Sequence, residues 1–596
     1  MKISILFILF GCCFQRVQAQ APDVHIRINQ IGYHPGEHKV AIIFSKKPIQ
    51  EQFELLRQQD NSKVATLKIK QSKAKGWGTF DFYYELDFTS IQQEGTYFFK
   101  GQQSGISSQT FSISLHAYAS QPANLLQFMR QQRCGYNPYL DIVCHERDGR
   151  SFYGPMPDST FVDATGGWHD AGDQLKYLIT ASYATGHMLT AFELYPDRFD
   201  DLTNALGQPI PNGVPDVLDE AKWGIDWILK LHTAPDQLIH QIADDRDHIG
   251  WKIPDQDNSD YGWGKDSYRA AYFATGAPQG LREHKSIATG MANLAGRSAA
   301  VVAQGSRIWK KHFKDTIFAN QCAVAATTLY QLGRDHEGFQ QGNSYGAPYR
   351  YTEETWTDDM EWGAAELYKL TGNKQYLKDA KHYARKANTI SWMNQDSAAH
   401  YQYYPFINMG HFALFDLVEK DFQDTLANYY KNGIDYTFQK SKKNPFGVGV
   451  PFIWCSNNLM TSLITQIILY EKMTGDNTYR HFMINQRDWL LGRNPWGTSM
   501  FTVIPEHGEY PEDVHTSIWA LTKKQVPGGL VDGPIFTTIY SALKGLTLYH
   551  QDEFAPLQNN YVVYHDDIGD YSTNEPTMDG TAGSIIMMAH WTNGLE

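Results

Sequence analysis

Leu367-Tyr368-Lys369-Leu370-Thr371-Gly372 returns as Leu469-Tyr470-Glu471-Lys472-Met473-Thr474-Gly475, and in shorter form as Leu329-Tyr330-Gln331-Leu332-Gly333. The two longer copies are each followed by a polar turn and a tyrosine, Tyr376 and Tyr479. Glycine just beyond a helical run caps it, because it enters the left-handed conformation without steric cost. The three copies therefore predict helices that stop at Gly333, Gly372 and Gly475 and turn into a further helix. Apolar spacing of i, i+3, i+4 extends the pattern to residues 221–231, 322–332, 362–370 and 463–473. Helical hairpins spread over most of the chain predict a closed ring of paired helices rather than a small bundle. The connections are long and rich in Gly, Pro and Trp, as at 250–280. Loops of that length on a rigid scaffold usually carry function.

Upstream of the helices the texture changes. Residues 22–112 contain short apolar runs at 40–44, 53–56, 64–69, 80–86 and 97–99, separated by turn clusters such as Asp60-Asn61-Ser62 and Glu94-Gly95. Several short strands within a hundred residues predict a small antiparallel sandwich. At the start of the chain, Lys2 precedes an apolar run at 3–10 and an A-x-A-like site at Val17-Gln18-Ala19. Residues 1–19 read as a signal peptide, so the protein is expected to be exported, either secreted or periplasmic. Leu9-Phe10-Gly11-Cys12 loosely resembles a lipoprotein cleavage box, which leaves anchoring at Cys12 or Cys13 as the alternative.

Of 596 residues, 42% are hydrophobic and 20% charged, which supports a large core and excludes wholesale disorder. A net charge of −13 lacks the basic footprint of a general nucleic-acid binder. No later stretch reaches the apolar length of a membrane span. Aromatic residues make up 14% of the chain, an excess that suits either a large helical core or rings stacked against sugar faces.

Two loops carry the acid–base chemistry. Gly166-Gly167-Trp168-His169-Asp170-Ala171-Gly172-Asp173 places two carboxylates three residues apart among small residues. Such a pair can hold one water and take its proton, or it can simply cap a helix N-terminus. Near the C-terminus, Asp566-Asp567-Ile568-Gly569-Asp570-Tyr571-Ser572-Thr573-Asn574-Glu575 sets one glutamate after an acidic, aromatic loop. Neighbouring carboxylates would raise its pKa and keep it a proton donor; a solvated acidic loop or a calcium site is the plainer alternative. A donor on one side of a bond and a base on the other is the inverting glycosidase arrangement. Separately, Cys134, Cys144, His145 and His169 offer two thiolates and two imidazoles, a tetrahedral zinc set. A Cys134–Cys144 disulfide competes with it in an exported protein.

These stretches resemble glycoside hydrolase family nine, the inverting cellulases. Gly166–Asp173 followed by Lys176-Tyr177 is similar to the family's first signature, and Asn574-Glu575 to its second. Leu491-Gly492-Arg493-Asn494-Pro495, the run Val526-Pro527-Gly528-Gly529-Leu530-Val531-Asp532-Gly533-Pro534, Trp454 and Ser456-Asn457 also match the pattern. Ile28-Asn29-Gln30-Ile31-Gly32-Tyr33 resembles the opening of the immunoglobulin-like domain found in one branch of the family. The resemblance implies an immunoglobulin-like β-sandwich over 22–112, followed by an all-α (α/α)6 barrel over 115–596. It implies Asp173 as general base, Asp170 as a holder of the nucleophilic water and Glu575 as general acid. It makes His515, Trp454, Tyr571 and Trp168 expected sugar binders. The same branch carries a structural zinc on the residue types of Cys134, Cys144, His145 and His169, and a calcium near an acidic pair resembling Asp358-Asp359. A first helical turn rich in acids explains that pair equally well.

Two departures bear on substrate. The family's His-His-Arg motif is reduced here to Val514-His515-Thr516, and the usual Tyr-Asn after the acid is replaced by Gly580-Thr581. The expected activity is hydrolysis of β-1,4-glucosidic bonds in cellulose or a related β-glucan such as xyloglucan or mixed-linkage glucan, within the chain. The alternatives are exo-action on short β-linked oligosaccharides, of cellobiase or glucosaminidase type, a sugar-binding protein on the same scaffold, and a hydrolase whose chemistry belongs to the zinc.

Overall fold

The computed structural model describes residues 24–593, apart from 75–76, 348, 396–399 and 405. The expected signal peptide over 1–19 and its alternative, anchoring at Cys12 or Cys13, lie outside the described residues.

Nine strands build the N-terminal sandwich: β1 Val24–Arg27, β2 Gly32–Tyr33, β3 Val40–Ser45, β4 Gln52–Arg57, β5 Lys63–Lys68, β6 Lys70–Gln71, β7 Phe82–Asp87, β8 Gly95–Gly101 and β9 Phe111–Ile113. One sheet runs β1-β3-β7-β6 and the other β2-β9-β8-β4-β5. The sheets are antiparallel except at β2–β9, where Gly32 faces Ser112 in a parallel pairing. That pairing departs from the all-antiparallel expectation, because the strand joins the second sheet after a crossover. Ala41 and Ile43 point into the sandwich with Phe53, Leu55 and Phe99. Val40, Ile42 and Phe44, on the opposite face of β3, belong to the core of the helical domain. Covering both faces explains why β3 reads as an unbroken apolar run instead of alternating.

Among the described residues, twelve helices of the larger domain pair into a ring. Six line the inside: α2 Leu178–Leu194, α4 Ala292–Ile308, α6 Thr357–Thr371, α8 Met409–Phe415, α10 Ser456–Thr474 and α12 Met578–His590. Each packs on the next, and α12 closes the ring onto α2. Six lie outside: α1 Gln121–Gln131, α3 Asp216–Leu231, α5 Thr316–Asp335, α7 Lys374–Ala387, α9 Lys420–Ser441 and α11 Arg480–Leu490. Outer helices α3, α5, α7, α9 and α11 follow the inner helix they pack on, and α1 packs on α12. Sequence follows position. LITASYATGHMLTAFEL of α2 is buried almost throughout, whereas KQYLKDAKHYARKA of α7 buries one narrow stripe.

Gly372 and Gly475 cap their helices in the left-handed region, at φ 69° and 71°, and their amides bond back to Tyr368 O and Glu471 O at 2.8 Å. Gly333 is a correction. It lies inside α5, where a Cβ would stand 2.7 Å from Met360 Sδ, so its smallness admits α6 rather than ending a helix. The two domains are tied by buried ionic contacts: Arg487 grips Glu37 at 2.9 and 3.0 Å, and Asn29 Nδ2 donates to Asp488 Oδ1 at 2.9 Å. Among the described residues no helix is long and apolar enough to cross a membrane.

Candidate active site

The loops that precede the inner helices meet at one end of the ring. Asp173 lies just before α2, Tyr349 before α6 and Glu575 before α12. With Gly172, Asp247, His248, Trp251, Lys252, His515, Ser517 and Tyr571 they line a cleft of about 380 Å³.

Glu575 and the aspartate loop are tied directly. Gly172 N donates to Glu575 Oε1 at 2.9 Å, and Met578 N donates to Asp170 O at 2.9 Å. A Cβ on Gly172 would sit 2.3 Å from His515 O and 2.8 Å from Glu575 Oε1. The glycine therefore serves a close approach by the chain's own acid.

The two carboxyls are pushed in opposite directions. Burial, then Asp532 and Asp173, push Glu575 well above the ordinary glutamate range, which favours the proton-bearing form. Burial also acts against ionised Asp173, but hydrogen bonds from His248 Nε2 at 3.0 Å, Leu175 N at 2.8 Å and Tyr349 Oη at 3.1 Å hold it below its usual value. His248 is in turn raised: burial opposes its charge, and Asp173 and then Glu575 outweigh that.

Asp170 stands differently from the expectation. It is buried and is not among the cleft-lining residues. Thr180 Oγ1 donates to one of its oxygens at 2.6 Å and Tyr351 Oη to the other at 2.7 Å. Burial, Asp579 and Asp173 push it well above the usual aspartate range. Each oxygen thus has one protein donor, and these bonds tie the aspartate loop to α2 and to the loop before α6.

An aromatic wall flanks the acids. Trp251 meets His515 edge-on at 4.7 Å, His515 stands 6.1 Å from Tyr571, and Tyr571 lies 5.9 Å from Trp454. His515 Nδ1 donates to Ile568 O at 2.5 Å, which leaves Nε2 as the acceptor. Trp168 is a correction: it is 1% exposed, and its Nε1 donates to Glu220 Oε1 at 2.8 Å, so it is core and touches no cleft.

The profile described as "Glycosyl hydrolase family 9" matches residues 118–588, and "Cellulase N-terminal ig-like domain" matches 21–105. The chain belongs to glycosyl hydrolase family 9. An endoglucanase D of Acetivibrio thermocellus is 24% identical over 498 residues, covering 80% of this chain and 73% of the relative. A xyloglucan-specific endo-β-1,4-glucanase of Bacteroides ovatus is 24% identical over 576 residues, covering 90% and 91%. The crystal structure of a metagenome-derived family 9 endoglucanase superposes with a TM-score of 0.76 at 24% identity, covering 96% of this chain and 99% of that one. The sandwich-plus-barrel architecture is thus that of this family, and the chain is a glycoside hydrolase.

Next to the cleft, this family 9 chain assembles a metal-ligating quartet. The donor atoms of Cys134, Cys144, His145 and His169 all lie within 4.8 Å of one another. His169 Nε2 is 3.3 Å from His145 Nδ1, Cys134 Sγ is 3.6 Å from His145 Nδ1, and Cys144 Sγ is 4.0 Å from His169 Nε2. Donor atoms gathered this closely could hold one metal ion. Both cysteines are free thiols, so the competing disulfide is absent. His145 Nε2 meets Asp257 Oδ2 at 3.1 Å, the outer carboxylate that typically orients a metal-bound imidazole. Asp257 also accepts from Lys252, a cleft residue, which links the quartet to the site.

The Asp358-Asp359 pair, the expected calcium site, meets a cation of the chain itself. Asp359 Oδ1 accepts from Arg297 Nε at 2.9 Å, and Glu353 takes the other arm of that guanidinium at 2.7 Å, while Asp359 Oδ2 is buried without a hydrogen-bond partner. The acidic loop at 566–570 is held by the chain's own donors. Asp570 accepts from Ser572, Thr573 and His565, Asp567 from Tyr549 and His550 amides, and Asp566 from Glu512 and Asp513 amides. Those acids staple the loop that presents Tyr571 and Glu575.

Sequence reasoning missed His248, Tyr349 and Tyr351. Only the length of the 250–280 connection and its Trp-rich texture hinted at that side of the cleft.

Proposed function

We propose that this chain is an inverting endo-β-1,4-glucan hydrolase in which Glu575 is the general acid and Asp173 the general base. The observation that carries this reading is the meeting of two carboxyls on one cleft in opposed surroundings, Glu575 buried with a single amide donor and Asp173 held by His248, Leu175 and Tyr349, which push the first up and hold the second down. Glu575 gives its proton to the departing glycosidic oxygen. Asp173 takes a proton from the water that attacks the anomeric carbon from the other face, which inverts the configuration. Asp170 acts as a positioning residue, through its bonds to Thr180 and Tyr351. His515, Tyr571 and Trp251 offer rings for sugar faces, and Trp454 extends the wall behind Tyr571.

The substrate class is a β-linked glucan. The endoglucanase names of the relatives support attack within the chain, and the xyloglucan-specific relative covers nearly all of both sequences. The domain limits that fit this reading are 22–112 for the sandwich and 115–596 for the barrel. Zinc is the ion that suits the quartet's two thiolates and two imidazoles. Four protein ligands leave it no open position, and none of the four lines the cleft, so its role is to hold the loop carrying Asp170 and Asp173. Export through residues 1–19 accords with a polymeric substrate outside the cell.

Product profiles on cellulose, xyloglucan, mixed-linkage glucan and cello-oligosaccharides test the proposal, with the anomer read by NMR in the first minutes. Initial α-anomer and a falling polymer length are expected. Initial β-anomer overturns the inverting assignment, and release of a single short sugar from chain ends overturns endo-action.

A further inference from the structure

Asp532 has no part in the scheme above, yet it stands directly across the chain from the general acid. Leu530–Val531 pairs antiparallel with Pro576–Thr577, with Val531 opposite Pro576. The next rung is closed by Asp532 N donating to Glu575 O at 2.9 Å. Residues opposite each other on an antiparallel rung point to the same face, with Cβ atoms about 4.5–5.5 Å apart. Two carboxyls so placed resist carrying charge together.

The partners of the two groups differ. Asp532 is 1% exposed, and Cys455 Sγ donates to its Oδ1 at 3.1 Å. The Trp454 indole supplies a second hydrogen bond. Cys455 is fixed at the start of α10 in the left-handed region, φ 55°, with Tyr401 Oη 2.8 Å from its sulfur. Glu575 accepts one amide, from Gly172, and otherwise faces the cleft. Burial pushes Asp532 above the usual aspartate range as well, but the donors aimed at it act toward its ionised form and Glu575 has fewer of them, so the proton of the pair is steered to Glu575.

The remaining charges do not cancel this. On the cleft side Asp173 is paired with His248. Behind the ribbon Asp570 is paired with His565. Asp579 is buried and pushed up, and it accepts from Gly580 N and Tyr404 Oη. Of these carboxyls, Asp532 is the one on the rung directly across from Glu575, and its partners are neutral donors.

We infer that Asp532 is the positioning residue of the general acid: held across the ribbon by Cys455, it confines the pair to one negative charge and leaves the transferable proton on Glu575. The inference rests on the reading of Glu575 as the acid. Burial followed by Asp532 as the largest influences on Glu575 agrees with the geometry.

The test compares pH profiles of kcat/KM on a cello-oligosaccharide and on a dinitrophenyl cellobioside, whose leaving group needs no proton. Glu575→Gln addresses the underlying reading: it should lose the oligosaccharide and keep the aryl glycoside, and loss of neither overturns Glu575 as the acid. Asp532→Asn addresses the inference. Its alkaline limb on the oligosaccharide should move at least about one pH unit toward acid, a tenfold loss above the limb, with the aryl profile unmoved. An unmoved limb in folded Asp532→Asn overturns the inference. Should that variant fail to fold, Cys455→Ala and Cys455→Ser decide. Without the donor the proton drifts to Asp532, so Ala should lower the plateau kcat several-fold and Ser should restore it. Equal plateaus in the two overturn the inference.

Discussion

Gly172 N and Glu575 Oε1 are 2.9 Å apart, so the proposed general acid is hydrogen-bonded to the residue that immediately precedes the proposed general base. The two halves of the acid–base machinery come from loops 403 residues apart, and this bond sets their relative position. Gly172→Ala should therefore be costly. Its Cβ would meet His515 O at 2.3 Å, a backbone atom that cannot simply rotate away. Displacement by about 1 Å at a reacting centre costs on the order of 10²-fold. We expect a kcat loss of that size with KM little changed and the circular dichroism spectrum intact.

Asp173→Asn and Glu575→Gln should each lower kcat on polymeric substrate by roughly 10²–10⁴-fold, the usual range for a lost acid or base. Melting temperature should change little for Glu575→Gln, because the raised pKa already favours a neutral carboxyl, and should fall modestly for Asp173→Asn, because the bonds that hold its pKa down stabilise the folded state. Retention of more than a tenth of the parental rate in both would refute the assignment.

The pH–rate profile should be bell-shaped, with signs fixed by the two shifts. Asp173 must be deprotonated, and its pKa is held down, so activity rises early, as pH climbs through an acidic value. Glu575 must be protonated, and its pKa is pushed up, so activity persists through the mildly acidic range and falls as pH climbs through that raised value. His248→Ala removes the strongest bond holding Asp173 down, so the acidic limb should move to higher pH. A lost charged hydrogen bond of about 1.5–3 kcal/mol corresponds to a tenfold or greater loss below the limb. Tyr349→Phe removes a neutral donor and should move the same limb by less.

Metal analysis should find about one zinc per chain, as a closed four-ligand site requires. Chelation should lower the melting temperature, while turnover assayed well below that temperature continues until the loop loosens. Rapid loss of turnover with unchanged melting would return the chemistry to the metal. Asp257→Asn, which weakens the hold on His145, should reduce metal affinity by about 10–100-fold.

How far these residues were legible depends on the kind of signal each carries. Helices α3, α5, α6 and α10 announced themselves by 3.6-residue spacing, and α6 and α10 also by their caps Gly372 and Gly475. Helix α8, seven residues long, was too short for any period, and α2 and α12 are apolar all round, so they show little amphipathic pattern. Asp173 and Glu575 stood in recognisable stretches. His248 and Tyr349 are ordinary residues in irregular loops, brought to Asp173 only by closure of the ring. The ionic partner of Asp359 was hidden for a similar reason: Arg297 lies on a different helix. Trp168 sits within the catalytic stretch, but its side chain turns inward against α3, which no local pattern signals.

The contact between the domains offers the clearest stability test. Arg487 is fully buried and Glu37 1% exposed, and both guanidinium arms reach the carboxylate. Glu37→Ala leaves that guanidinium with Asp488 alone at the domain boundary, where water cannot readily replace the lost partner. Removing one member of a buried pair typically costs about 3–5 kcal/mol. Replacing both members together, Glu37→Met with Arg487→Met, should cost much less, because no buried charge is stranded. Chemical denaturation of the three variants separates the outcomes. A large loss in the single variant that the double variant relieves marks this ion pair as the tie between sandwich and barrel. Equal losses in both would mean that the apolar contacts of Val40, Ile42 and Phe44 hold the domains together without it.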